Sequence, residues 1–304
     1  MRKQLSDALL LRAPSSNMVF LTGDLGFMAL EELQAAMGQR FINAGVAEQN
    51  MISVAAAMSK QGMEAWVYSI APFCYARPFE QIRNDVCFHG LPVKIIGNGG
   101  GYGYGVMGPT HHAIEDYGVL LTLPSMTVYV PAFDQDLEAL IPKMAQENAP
   151  GYLRLGRGEV PASFTVPQYA PWRQITSGNG PTVIAMGPLA GLYIEAFSLI
   201  AQADRPNFWI VTELPFAKNP IPEKLLDQIA KSSGLLVVEE HVAHGGLASS
   251  IALDLLQRHM SPKKFTNLHA QKHIYESYGS QGFLRDKSGL SLPHILEALK
   301  TLSA

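Results

Sequence analysis

Short apolar runs rich in valine and isoleucine alternate with helix-period segments along almost the whole chain, and this alternation restricts the fold more than any other feature. A strand covered on both faces must be apolar throughout, and reaching a parallel neighbour requires a crossover that is usually a helix. The pattern predicts an α/β protein made of two doubly wound domains with mostly parallel sheets. Candidate strands run over 18–23, 40–45, 64–70, 92–98, 126–132 and 151–156. The clearest helices cover 47–60, 78–88 and 134–146, each with apolar positions three and four apart. Prolines 161, 167, 171 and 181 then break the periodicity. This predicts a first domain over 1–160, a linker over 161–180 and a smaller α/β domain over 181–304. The smaller domain has strands at 182–187, 207–214 and 234–241 and helices at 191–203, 223–231 and 246–259.

Composition narrows the partners. At 304 residues, 47% hydrophobic and 16% charged, the chain can bury a sizeable core. A net charge of -3 and a pI near 6.3 give no field that would attract nucleic acid or an anionic membrane. The two cysteines, Cys74 and Cys87, form no CxxC pair, so neither a disulfide framework nor a cysteine zinc site is indicated. At the N-terminus, Asp7 interrupts a short apolar run and Arg12 follows it, which fits an amphipathic helix better than a secretory leader. Without an apolar run of about 18 residues, a soluble cytoplasmic protein is expected.

Two stretches carry candidate chemistry. The first, GNGGGYGYGVMGPTHH (97–112), contains GxGxxG at Gly103, Gly105 and Gly108. A dinucleotide fingerprint would sit on the first strand of its fold, with an acidic residue ending the next. Here at least three strands come before it and the next one ends at Pro131. The glycines instead suit a backbone that passes close to a ligand and turns sharply, projecting Thr110, His111 and His112 from a strand's carboxyl end. A metal site would need a third ligand, and only Glu115 and Asp116 are at hand, so no metal is expected on this chain. Adjacent side chains diverge, so at most one of the two imidazoles faces a given ligand, and a structural role for both stays open. The second stretch, NAGVAEQNM (43–51), puts Glu48 in the first turn of a helix, where the dipole tolerates a carboxylate. A capping or solvated glutamate and a functional one are both compatible with that position.

RFINAGVAEQNM, RPFEQIRNDV and GPTHHAIED, in this order and spacing, resemble the pyrimidine-binding half of transketolases, a pattern that deoxyxylulose phosphate synthases share. YLRLGR, VVEEHVAHGGLASSIA and YGSQGFLRDKSGLS resemble the C-terminal domain of the same enzymes. The resemblance covers nearly the whole chain. It implies a pyrimidine-binding domain followed by a transketolase C-terminal domain, and thiamine diphosphate as cofactor. The signature of the family's pyrophosphate domain, GDG followed by Asn-Asn, is absent; GDLGF at Gly23 is a chance likeness. The chain therefore resembles the C-terminal subunit of a split transketolase. The diphosphate and its Mg2+ would be held by an N-terminal pyrophosphate-binding partner, in an α2β2 heterotetramer.

By the same resemblance Glu48 matches the glutamate hydrogen-bonded to N1' of the aminopyrimidine, and burial in the cofactor cleft favours its neutral form. His111 matches the histidine that moves protons at sugar oxygens, and His112 stands where the family has glutamine. Phe73 matches the ring on which the pyrimidine stacks, with Tyr75 close by, and core packing is the alternative. Asp24 is implied to lie near the cofactor. Arg77 and Glu80 open the next helix beside the pocket. Arg157 matches an arginine that grips the acceptor's phosphate, with a surface or interface charge as the alternative. Gly99, Met107 and Met28 occupy positions where the family has a histidine, an aspartate and a serine that contact substrate. Loss of these anchors implies ketol transfer from a ketose to an aldehyde on a non-standard sugar. The competing readings are a deoxyxylulose-phosphate-synthase-like enzyme, the beta chain of a 2-oxoacid dehydrogenase and a non-catalytic scaffold. The glycine pair Gly245 and Gly246 either packs closely at a contact or opens an anion site at a helix N-terminus.

Overall fold

The computed structural model describes residues 1–15, 17–26 and 28–304; Ser16 and Phe27, which end the N-terminal stretch and the GDLGF stretch, lie outside the described residues. Two mixed sheets organise the chain. In the first, β1 (Met18–Thr22), β2 (Phe41–Asn43), β3 (Glu64–Ile70), β4 (Lys94–Asn98), β5 (Thr127–Tyr129) and β6 (Gly151–Leu155) run parallel in the order β5-β6-β4-β3-β1-β2. In the second, β7 (Trp172–Thr176), β8 (Thr182–Met186), β9 (Asn207–Val211), β11 (Leu235–Glu239) and β12 (Phe265–His269) are ordered β12-β11-β8-β9-β7, with only β7 antiparallel. A two-residue strand, β10 (Glu213–Leu214), leaves the second half and pairs antiparallel with β5 at the edge of the first sheet.

The central strands are buried along their whole length: β1, β4, β6, β8, β9 and β11 have every residue inside, including Lys94 of β4 and Arg154 of β6. One core, containing Val19, Val67, Ile184 and Val237, continues from the first sheet to the second. A second core packs the opposite face of the first sheet against the helices Arg2–Leu10 and Asp136–Gln146. The N-terminal segment is thus the amphipathic helix its sequence predicts. No helix among the described residues is long and apolar enough to cross a membrane.

Some elements depart from the sequence expectation. The stretch expected as irregular linker contains β7, an edge strand that bulges between Gln174 and Thr176. The helix expected over 78–88 splits into Phe79–Gln81 and a π-helical turn, Ile82–Cys87. The helix expected over 191–203 contracts to Ile194–Leu199.

In the first sheet, β2 and β3 lie on opposite sides of β1, so the chain leaves the carboxyl ends of β1 and β2 in opposite directions. Open α/β sheets place their ligand crevices at such a reversal.

Candidate active site

Glu48 begins the helix Glu48–Lys60, which starts just after β2 and buries its apolar face through Met51, Ile52 and Ala55. That packing carries the Glu48 side chain under the ends of β1 and β3, where only 2% of the residue remains exposed. A Cβ on Gly23 would lie 3.4 Å from both Glu48 and Ser69, so the carboxylate fits tightly between the two strand ends. Its Oε2 accepts a 2.5 Å hydrogen bond from Arg77 Nη1. Its other oxygen has a distant contact with the Ser69 hydroxyl at 3.4 Å.

The Arg77 guanidinium also lies over the Phe73 ring, 4.6 Å from its centroid. Phe73 meets the His111 ring edge-on at 5.1 Å. Glu48, Phe73 and His111, widely separated in sequence, therefore stand in one continuous row with Arg77 between the first two. His111 ends the short turn Pro109–His111, which Gly108 introduces with φ 85°. A side chain at Gly108 would collide with the Tyr278 ring, which packs against this turn. Further back, paired hydrogen bonds between Gly101 and Ala113 at 2.8 Å pin the two ends of the glycine-rich loop. His111 Nδ1 is 3.0 Å from Thr110 Oγ1, and its other ring nitrogen has no hydrogen-bond partner among the described residues. Burial holds the imidazole below its ordinary pKa, which favours the neutral ring.

His112 faces the opposite way. It is 2% exposed, stacks parallel to His273 at 5.7 Å and meets Tyr102 edge-on. Neither ring nitrogen has a partner among the described residues. Burial and the neighbouring His273 push its pKa down to about 4. His273 bonds Glu115, which raises the pKa of the imidazole. Burial acts to raise the Glu115 pKa, but the hydrogen bond to His273 leads the opposing contributions that hold it below the usual value. Tyr75 is buried and donates to the second Glu115 oxygen at 3.0 Å. Tyr75 and His112 thus belong to a packed layer behind the row of Glu48, Phe73 and His111. The sequence reading missed Glu115 and His273 as the centre of that layer.

Asp24 is exposed just beyond β1, with φ 57°, and accepts a 2.8 Å hydrogen bond from Asn43 Nδ2. It lines a separate cavity of about 340 Å³ with Thr22 and Phe41. Arg157 is exposed beyond the end of β6 and lines a cavity of about 390 Å³ with Asn98, Gly99 and Tyr104. Glu80 is exposed. Among the described residues no three His, Cys, Asp or Glu side chains are grouped to hold a metal ion. The helix N-terminus after Gly245 and Gly246 is filled from within: Glu239 accepts from Leu247 N at 2.5 Å and from Ala248 N at 3.0 Å. A Cβ on Gly246 would lie 2.4 Å from the same carboxylate, so this glycine is needed for close packing.

The chain belongs to the transketolase family: residues 5–163 match the transketolase pyrimidine binding domain. Within that family it is a transketolase-type subunit, corresponding to the C-terminal subunit of a split transketolase. It is 28% identical to an apulose-4-phosphate transketolase subunit of Phocaeicola vulgatus, over 95% of this chain and 94% of that one. It is 30% identical to the 1-deoxy-D-xylulose-5-phosphate synthase of Nitratidesulfovibrio vulgaris, over 87% of this chain but only 42% of the synthase. Among solved structures, a split-gene transketolase described as an inactive beta4 tetramer superposes with a TM-score of 0.85 at 30% identity, covering 100% of this chain and 99% of that one. The transketolase of Campylobacter jejuni shares the fold at a TM-score of 0.77 and 16% identity, with 98% of this chain covering 46% of that one.

Proposed function

We propose that this chain is the pyrimidine-binding subunit of an enzyme that transfers a two-carbon ketol unit from a ketose to an aldehyde with thiamine diphosphate. The observation that carries this reading is the environment of the Arg77 guanidinium. That flat, hydrogen-bonding group is held by Glu48 at its edge and Phe73 on its face. A flat aminopyrimidine carrying a proton at N1' makes the same two demands, an acceptor at a ring edge and an aromatic surface for stacking. The cofactor, when bound, supplies the electron sink that allows a ketose carbon–carbon bond to break.

Glu48 holds a proton at N1' of the pyrimidine ring, and its burial between β1 and β3 excludes water from that bond. Phe73 gives the ring its stacking face. Asp24 stands at the rim of the same strand ends. His111, kept neutral by burial, accepts and returns the proton of a sugar hydroxyl. His112 and Tyr75 act from behind, by holding the His111 loop. Arg157 binds the anionic end of the acceptor.

The diphosphate and its Mg2+ fall to a partner, the N-terminal pyrophosphate-binding chain, and two copies of each form a closed heterotetramer. Relatives of nearly the same length that are named as transketolase subunits support a partner. Val46 and Met107, in the loops that carry Glu48 and His111, are 76% and 50% exposed apolar side chains that such a partner would cover. The acceptor is a non-standard sugar, because Gly99, Met107 and Met28 offer no polar anchors; two relatives named for apulose-4-phosphate are consistent with this.

The test is ketol transfer by the chain reconstituted with its partner. Glu48→Gln is expected to lower turnover by about 10²- to 10⁴-fold without loss of fold. Wild-type turnover in that variant would remove the reading. Robust transfer between xylulose 5-phosphate and ribose 5-phosphate would remove the non-standard acceptor.

A further inference from the structure

The absence of a side chain at position 99 has a structural consequence that sequence comparison does not reveal. Gly99 follows β4 with φ 75°, and a Cβ there would lie 2.2 Å from Tyr104 Cδ2 and 2.3 Å from Cε2. The Tyr104 ring therefore lies directly against the backbone, in the space any side chain at 99 would enter. Its position is fixed by a tight winding of the loop: Gly103 N bonds Gly100 O at 3.2 Å, and a Cβ on Gly103 would meet the Gly99 backbone at 2.8 Å. The winding fixes the Tyr104 backbone, and the Asn98 side chain holds the far end of its ring.

The phenol is half-buried and already oriented. Asn98 Nδ2 donates to its oxygen at 2.6 Å, which leaves the hydroxyl proton to donate elsewhere. On one side the ring stands 6.4 Å from the His111 ring. On the other it lines the cavity of about 390 Å³ that also receives Arg2, Lys3 and Arg157. Lys3 is paired with Asp7, whereas Arg157 has no hydrogen bond or ion pair with any described residue. An exposed cation without a counter-ion and a phenol with a proton to give thus share one cavity, with the Tyr104 ring standing between that cavity and His111.

We infer that Tyr104 is a specificity-determining residue that donates its hydroxyl proton to a hydroxyl of an anionic, polyhydroxylated ligand whose charged end Arg157 holds. The inference relies on the ketol-transfer reading only for the ligand's class, a sugar phosphate or an equivalent sugar acid. Tyr104 supplies from the loop a polar contact that position 99 cannot. Because the phenol approaches from a different backbone point than a side chain at 99 would, it favours a differently placed hydroxyl. That is how a site can lose its usual anchors and still select a sugar.

The test reads binding without turnover, so a failure of ketol transfer leaves it intact. Calorimetric titration of the full chain with sn-glycerol 3-phosphate and with inorganic phosphate separates the two contacts. Tyr104→Phe removes one oxygen and keeps the ring on Gly99. It is expected to weaken glycerol 3-phosphate binding about 5-fold and to leave inorganic phosphate unchanged. Arg157→Gln is expected to weaken both probes, by about 10-fold or more. The inference is overturned if Tyr104→Phe changes neither probe, if it weakens both equally, or if the wild-type chain binds neither. Unchanged thermal unfolding in both variants assigns the losses to the cavity.

Discussion

Glu48 and Glu240 are both buried carboxylates facing an arginine, yet their surroundings differ in kind. Glu240 is saturated: it accepts from Tyr102 N at 2.8 Å, from Gln281 Nε2 at 3.1 Å and from two nitrogens of Arg285 at 3.1 and 2.8 Å. Arg285 is itself buried, so that pair lies wholly inside the protein. Glu48 has one strong partner, Arg77, whose side chain is 41% exposed. A carboxylate whose capacity is filled by its own fold serves stability. One that is buried but engaged by a single, movable cation keeps an acceptor for a ligand.

Mutation should separate the two. Removing Glu240 leaves Arg285 buried and uncompensated, so Glu240→Ala should lose about 3–5 kcal/mol in urea denaturation. Glu48→Gln should stay within about 1 kcal/mol of wild type in the same assay, because Arg77 can turn to water. Equal losses at the two sites would erase the distinction.

The adjacent histidines provide a second, smaller test. His112 has its pKa depressed by burial to about 4, whereas the unfolded chain protonates it near 6.5. Its contribution is fully present above pH 6.5 and is lost as pH falls toward 4. Stability should decline through that window, with this ring accounting for a slope of up to about 1.4 kcal/mol per pH unit. His112→Phe should keep the fold and remove that part of the slope, since the ring's nitrogens bond nothing among the described residues. An undiminished slope would place the titration elsewhere, with His241, which burial also depresses, the next group to examine.

The smallest effect concerns Arg77. If its guanidinium occupies the place of a flat heterocycle, Arg77→Gln should raise the isolated chain's affinity for thiamine by about 3- to 5-fold in calorimetric titration. A lower affinity would make Arg77 part of the cofactor's own cradle.

These contrasts also show what sequence can and cannot convey. Central strands such as Leu235–Glu239 are legible because burial on both faces forces an unbroken apolar run. Two of the edge strands carry no such mark: Phe265–His269 is only partly buried, and Trp172–Thr176 lies within a proline-rich stretch. Glu48 and His111 are legible because each sits in a compact local motif. The bond between His273 and Glu115 joins residues 158 apart, and neither flank announces the other. Tyr104 was hidden for a different reason. Its position depends on a glycine five residues earlier, and what matters about that glycine is the volume it leaves empty.

The short strand Glu213–Leu214 has a consequence for how the chain can be divided. Only Thr212 separates it from β9, so neighbouring residues are committed to different sheets. A polypeptide ended near residue 160 would strip β5 of this neighbour and leave bare amide and carbonyl groups along its border. Such a fragment would be prone to stick to copies of itself, however complete its own set of parallel strands.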